Sequence, residues 1–384
     1  MNPSFSTRAV ESGIGGLVTP PYDTGKAQPW NEFGVPPEVT YSRSLPDNSV
    51  AALESKVASL HDDKAKAVVF ASGQACTYAL LSTAREGSHV ICGEQVYGST
   101  TVLLEQYTRG LPHSFVEPTR DNLEAAVKVN TEYLLLETPT NPLLSIVDLE
   151  EVQSFSKEHS VKWILDNTFA TMFLLDGFKY GAHVVYYSMS KYLAGHHDAI
   201  GGVIVTKDYD LADKLRTARK MHGSIMSPDV AYRINVQMQT LPLRMRKQCD
   251  NAMAVAEYLS TNPQVLHVYY PGLKSHPGHE IAARQMKAAD GCENRYGGVV
   301  SFEVDGDFKA FGNFFAENKK VVYLMESLGS NVTILANPVT MSHKGLTEEQ
   351  RQKLGIKPNL FRLSVGISDV NDIINTLEEG FKHI

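Results

Sequence analysis

From Ser49 onward, short apolar runs alternate with stretches in which apolar residues recur every three or four positions. Runs of the first kind predict strands and stretches of the second kind predict helices. Residues 51–60 read as a helix, 67–71 as a strand, 76–84 as a helix and 90–92 as a strand. The alternation continues through 133–137, 149–158, 163–165, 184–187 and 202–206. Strands this short and this uniformly apolar, separated by helices, predict an α/β unit with a mostly parallel sheet covered on both faces.

After Asp208 the pattern changes. Residues 211–221 read as a helix, and a long amphipathic stretch covers 245–260. Segments 265–270, 298–304, 309–317, 321–324, 361–365 and 370–381 then suggest a smaller α+β domain. Before residue 49, Pro20-Pro21, Pro29 and Pro36-Pro37 predict an extended arm. The expected division is therefore an arm over 1–48, a large domain over 49–245 and a C-terminal domain over 246–384.

Composition narrows the function. The chain has 384 residues, 43% of them hydrophobic, and 36 basic against 43 acidic side chains give a formal charge of −7. No basic stripe interleaved with aromatics is present, so nucleic-acid binding has no electrostatic support. Cys76, Cys92, Cys249 and Cys292 lie far apart and form no CxxC pair, which predicts free thiols in a reducing compartment. Met1-Asn2-Pro3-Ser4-Phe5-Ser6 lacks the apolar run of a signal peptide, and no stretch is long enough to span a bilayer. A cytoplasmic location is the expectation.

Three features carry candidate chemistry. Lys191, in Ser188-Met189-Ser190-Lys191-Tyr192, stands at the end of an apolar run. A lysine there needs a partner or an uncharged amine, and an uncharged amine suits a Schiff base with a carbonyl cofactor. Taken alone it reads more readily as a snorkelling lysine on a solvated loop. Asp166 closes the run Trp163-Ile164-Leu165, where strand ends of a parallel sheet face a ligand crevice. A carboxylate there is suited to a protonated ring nitrogen, although aspartate after a strand is also a common turn former. Ser72-Gly73-Gln74 joins a strand to a helix, a turn whose free amides suit a phosphate dianion. Tyr97 is placed to stack on a planar ring. His196-His197-Asp198 has metal-ligand residue types but no third histidine nearby, so no metal site is expected.

Eight segments, in order, resemble one known family: Tyr41-Ser42-Arg43-Ser44, Phe70-Ala71-Ser72-Gly73, Val96-Tyr97-Gly98-Ser99-Thr100, Glu137-Thr138-Pro139-Thr140-Asn141-Pro142, Asp166-Asn167-Thr168-Phe169, Tyr187-Ser188-Met189-Ser190-Lys191-Tyr192, Glu326-Ser327-Leu328-Gly329 and Arg362-Leu363-Ser364-Val365-Gly366. The chain is similar to the Cys/Met-metabolism pyridoxal-phosphate enzymes, which include cystathionine γ-synthase, cystathionine γ- and β-lyase, methionine γ-lyase and the O-acylhomoserine sulfhydrylases. The resemblance implies a fold-type I transferase with a seven-stranded sheet in its large domain, and pyridoxal 5'-phosphate as cofactor. Lys191 would carry that cofactor and move protons, Asp166 would pair with the ring nitrogen, and Tyr97 would stack on the ring and join in proton transfer. Gly73, Gln74, Ser188 and Ser190 would hold the phosphate, with Thr168 near the ring and Glu137 in a supporting position. Tyr41 and Arg43 would reach the phosphate of a neighbouring subunit, and Tyr41 would also face its substrate. Arg362 would clamp the substrate carboxylate, assisted by Asn141, Ser327 and Ser342. The partners implied are an amino-acid substrate and further copies of the chain, in a dimer of active-site dimers.

Departures from the family pattern bear on substrate choice. Thr40 stands where cystathionine-handling members often carry an acid, and Leu45-Pro46-Asp47-Asn48 replaces Gly-Asn-Pro-Thr. Ser99 stands where methionine γ-lyases have cysteine, Ser330-Asn331-Val332-Thr333 replaces a glycine-rich segment, and Met238 falls where glycine is expected. The Glu326-Ser327-Leu328-Gly329 pattern resembles γ-acting members, so γ-elimination or γ-replacement on a homoserine-derived or sulfur-containing amino acid is the expected reaction. A β-eliminating carbon–sulfur lyase is the alternative. An aminotransferase or a non-catalytic relative are the readings of another class.

Overall fold

Each apolar strand of the first half has one set of side chains for each face of a single sheet. In the computed structural model this sheet has seven strands: β1 (Lys66–Phe70), β2 (His89–Gly93), β3 (His113–Val116), β4 (Thr131–Glu137), β5 (Lys162–Asp166), β6 (Val184–Ser188) and β7 (Gly202–Thr206). Their order is β1-β7-β6-β5-β4-β2-β3. All neighbours are parallel except that β7 runs antiparallel to both β1 and β6. Val68, Phe70, Ile164, Val184 and Tyr186 enter one core, against the helices Gly73–Ser82 and Tyr209–His222. Ala67, Val69, Trp163, Leu165, Val185 and Tyr187 enter the core on the other face. Burial on both faces is why these strands lack polar alternation.

A second sheet, of five strands, follows: β8 (Val265–Tyr269), β9 (Val299–Val304), β10 (Val322–Leu324), β11 (Thr333–Ala336) and β12 (Leu360–Ser364), in the order β10-β11-β12-β9-β8. The structure describes residues 3–14, 19–25, 27, 29, 32–35, 41–44, 46–108 and 110–384. Thr40 and Leu45, two of the departures above, and Gly15, Gly16, Pro36 and Pro37 lie outside the described residues.

The N-terminal region differs from a wholly extended arm, because Phe5–Glu11 is a helix. Ser4 caps it by accepting from Thr7 N, and Phe5 and Ala9 are buried. Lys56, fully buried, donates to Ala9 O at 3.0 Å and to Asn235 O at 3.1 Å, tying this turn to the body. A helix also occupies Pro228–Met238, where no element is predicted; Ser227 caps it and Pro228 sits in its first turn. Its buried face includes Ala231 and Asn235, too small or too polar to mark an apolar stripe. The next helix, Leu241–Thr261, runs unbroken through the expected boundary at 245/246.

Candidate active site

Three neighbouring parallel strands end in polar residues. Glu137 closes β4, Asp166 closes β5 and Ser188 closes β6, with Glu137 and Asp166 in direct register. They open into a cavity of ≈ 430 Å³ that Gly73, Gln74, Tyr97, Asn141, Thr168, Ser190, Lys191, Ser327, Ser342 and Arg362 also line. Carboxyl ends of parallel strands are where open α/β sheets hold their ligands. Ser327, Ser342 and Arg362 come from the second half of the chain, so the cavity draws on both.

One wall is the start of the helix Gly73–Ser82. Ser72 caps it, accepting from Ala75 N at 3.1 Å, and the first-turn amides have no acceptor within the helix. Gly73 packs against Ser188 closely enough that a Cβ would lie 3.0 Å from the serine Cβ. Gln74 Nε2 donates to Ser99 O at 3.0 Å. Thr168 Oγ1 accepts from Ser188 N at 2.9 Å, and Ser190 Oγ accepts from Gly201 N at 3.0 Å.

The floor is acidic. Asp166, 9% exposed, accepts from Thr168 N at 3.0 Å, and no cationic side chain pairs with it among the described residues. Burial raises its pKa. Burial also raises that of Glu137, reinforced by Asp166. Glu137 accepts from Tyr97 N at 2.8 Å and from Asn141 N at 3.0 Å, so one carboxylate orients two of the lining residues. The Tyr97 ring itself is exposed at the mouth.

Opposite the helix start stands a cationic group. Arg362, on β12 and 2% exposed, donates from Nη1 to Asn141 Oδ1 at 2.8 Å and from Nη2 to Ser327 O at 2.8 Å. Its Nε is buried without a partner among the described residues. Burial brings its pKa down to about 10. Ser327 has φ +89°, a left-handed conformation costly for a non-glycine residue. That twist lets its carbonyl meet Arg362 while its hydroxyl accepts from Lys191 Nζ at 2.9 Å. Burial, then the charge of Arg362, pulls the Lys191 pKa down to about 8. Ser342 Oγ is 2.9 Å from His343 Nδ1.

A model of the family described as Cys/Met metabolism PLP-dependent enzyme matches residues 18–382. The chain belongs to this family. A cystathionine beta-lyase of Lactococcus lactis subsp. cremoris (strain MG1363) is 36% identical over 388 residues, 99% of this chain and 99% of the relative. An L-methionine gamma-lyase of Fusobacterium nucleatum subsp. polymorphum is 39% identical over 351 residues, 90% of this chain and 86% of the relative. Among solved structures, a cystathionine gamma synthase from Xanthomonas oryzae pv. oryzae in complex with cystathionine is similar at TM-score 0.92 and 30% identity, covering 100% of this chain and 99% of that one. The protein is accordingly a pyridoxal-phosphate-dependent enzyme of fold-type I, as its motifs imply.

The cavity fits the Cys/Met-family cofactor on its own chemistry. It holds a buried carboxylate without a cation, a lysine of lowered basicity, and a helix start where a Cβ at Gly73 would crowd the approach. Two of the expected residues are not brought there. Tyr41 and Arg43 line a separate cavity of this chain, with Asp47, Arg219 and Met226. Tyr186 is missing from the sequence-derived set, yet its hydroxyl reaches Asp166. The signal is there in retrospect, since Tyr186 and Ser188 share one side of β6.

Proposed function

We propose that this enzyme eliminates or replaces the γ-substituent of a homoserine-derived or sulfur-containing amino acid. The observation that carries an amino-acid substrate is the buried Nε of Arg362, without a partner among the described residues, in one cavity with Lys191 and Asp166; the choice of the γ position rests on the Glu326-Ser327-Leu328-Gly329 pattern. That arrangement suits an α-carboxylate at one end and an amine-reactive cofactor at the other. When bound, pyridoxal 5'-phosphate supplies an electron sink for charge developing at Cα.

The chain's own groups do the rest. Asp166 would pair with the ring nitrogen and keep it protonated, Tyr97 would stack on the ring, and Thr168 would stand near it. Gly73 and Gln74 amides with Ser188 and Ser190 hydroxyls would hold the phosphate. Arg362 orients the carboxylate, with Asn141 and Ser327 fixing the guanidinium, Ser327 also holding the Lys191 amine, and Ser342 assisting in the same pocket. Lys191 Nζ takes the Cα proton and redelivers it, for which an amine of pKa about 8 is well matched.

Tyr41 and Arg43 act on the site of an adjoining copy, so that two copies complete two sites in a homotetramer built from such dimers. The 1–48 arm, 49–245 cofactor domain and 246–384 domain are the working division, and the cytoplasm is the proposed location. β-Elimination from cystathionine or cysteine is the second reading, supported by full-length likeness to a cystathionine beta-lyase.

The deciding experiment offers O-acetylhomoserine, O-succinylhomoserine, cystathionine, methionine and cysteine, and measures 2-oxo acid release and trapped products. Four-carbon 2-oxo acid or a γ-substituted product supports the γ reading; pyruvate alone selects the β reading. Lys191→Ala should abolish both turnover and the borohydride-reducible visible band. Transamination with retained turnover in that variant would overturn both.

A further inference from the structure

Lys191 belongs to a turn and not to a helix or strand, so the support beneath that turn sets where its amine sits. The next two residues, Tyr192 and Leu193, are buried, and their carbonyls meet one side chain. Arg244, on the helix Leu241–Thr261, donates from Nη1 to Tyr192 O at 2.7 Å and from Nη2 to Leu193 O at 3.3 Å. Nη2 also reaches Gln237 O at 3.1 Å, and Nε reaches Thr240 Oγ1 at 3.1 Å.

Arg244 is 4% exposed and has no carboxylate partner among the described residues; burial brings its pKa down to about 10. Leaving a buried cation without a counter-charge costs several kcal/mol, a cost an apolar side chain of the same size would not incur. Neutral oxygens are its whole compensation, and two of the four belong to the Lys191 turn.

The turn is shaped to receive it. Gly195, at φ +73°, leaves the space, since a Cβ there would lie 2.1 Å from Nη1. From the opposite side Gly329, at φ +80°, approaches so closely that a Cβ would stand 2.7 Å from Tyr192 N. Asn331 N donates to Gly195 O at 2.9 Å. Farther along, Gln237 Nε2 holds the Asp198 carboxylate at 2.8 Å and Arg233 Nη1 its carbonyl at 2.8 Å. The corner between the helices Pro228–Met238 and Leu241–Thr261 therefore grips both ends of residues 192–198.

We propose that Arg244 is a positioning residue for Lys191, holding the carbonyls of Tyr192 and Leu193 so that the amine stands at the depth where it meets cofactor and substrate. It acts through the backbone and touches neither ligand. The inference rests on Lys191 as the cofactor-bearing amine. Among the described residues the charged groups that face this amine are Arg362 on β12 and Glu326 ahead of β11, and the titratable ring of His197, its pKa lowered by burial and by Lys191, stands in the turn itself. Substitution at 244 leaves all three in place.

The test compares wild type, Arg244→Lys, Arg244→Met and Gly195→Ala after loading with pyridoxal phosphate. Readouts are the pH midpoint of the bound visible band, cofactor dissociation, kcat, KM and Tm. Arg244→Met and Gly195→Ala should move the midpoint by about half a pH unit or more. They should also lower kcat about tenfold with KM within about twofold. Arg244→Lys, keeping a charge but not the fork, should fall between. Wild-type midpoints and kcat with only Tm reduced would overturn the proposal. If Arg244→Met does not fold, Gly195→Ala and Arg244→Lys decide by the same measures. A wild type without a borohydride-reducible band defeats the Lys191 assignment and this inference together; an intact wild-type band with unshifted variants defeats only the role of Arg244.

Discussion

Arg362 and Lys191 both line the cavity and both meet Ser327, and the charge of Arg362 adds to burial in lowering the basicity of Lys191. The Lys191 amine, at about 8 against an ordinary 10.5, is neutral in roughly one molecule in ten at pH 7 instead of fewer than one in a thousand. Cofactor uptake by the apo-protein should therefore quicken with pH from about 6, reach half its limit near 8 and level off above about 9, as stopped-flow absorbance would follow. An unshifted lysine would keep accelerating beyond pH 9. The folded chain also binds fewer protons than the unfolded one between about 8 and 10.5, so this group makes stability rise with pH across that window. Arg362→Lys keeps the charge but loses the planar fork to Asn141 Oδ1 and Ser327 O. KM for the amino acid should rise roughly 10- to 100-fold, as expected for losing about 1.5–3 kcal/mol of charged hydrogen bonding. An unchanged KM would remove Arg362 from carboxylate binding. Lys191, Asp166 and Arg362 are legible in the sequence because each sits in a local motif. Arg244 is not, because the two turn carbonyls it holds lie about fifty residues upstream and no local spacing announces them. Tyr186 is hidden for another reason: its apolar neighbours make a hydroxyl-bearing ring look like ordinary core.

Elements were readable where apolar runs were long and uniform. The strand at 202–206 and the helix at 370–381 match their predicted bounds, and most others differ by a few residues. The shifts follow from caps: Asp47 starts its helix three residues before the first predicted position, and Ser72 does the same for the phosphate-side helix. β3 escaped because every residue in it is only partly buried. Close packing between elements suggests a further measurement. A Cβ on Gly202 of β7 would lie 2.3 Å from Ser72 O and 2.6 Å from Cys76 Sγ, forcing β7 and the helix start apart. Gly202→Ala should cost about 1–3 kcal/mol by denaturant unfolding and weaken cofactor affinity in titrations. Gly93→Ala, where the nearest atom is 3.5 Å away, is the control and should do neither. Equal effects in both would mean that this packing does not set the phosphate wall.

At the scale of the whole molecule, the cavity lies between residues of both halves, with Lys191 and Asp166 from the first and Arg362 from the second. Tyr41 and Arg43, facing a different cavity, give the assembly a direct test. Neither Lys191→Ala nor Arg43→Ala should work well alone, yet mixing them under conditions of subunit exchange should restore turnover in hybrids carrying one intact site. A mixture as inert as its parents would mean that Arg43 acts within its own chain and not on a neighbour's site. The ending of β4, β5 and β6 at one rim has one more consequence. Glu137 and Asp166 pair in register, and Ser188 stands two residues beyond Tyr186, the partner of Asp166, so the site depends on where each strand stops, and a strand's side chains reverse face with every residue of slippage. Length changes inside these strands should thus be lethal to the enzyme even when the chain still folds, whereas the opposite rim, around Asn130 and Ser160, is free to lengthen or shorten. Natural variation in size, and grafted tags or loops, belong on that rim.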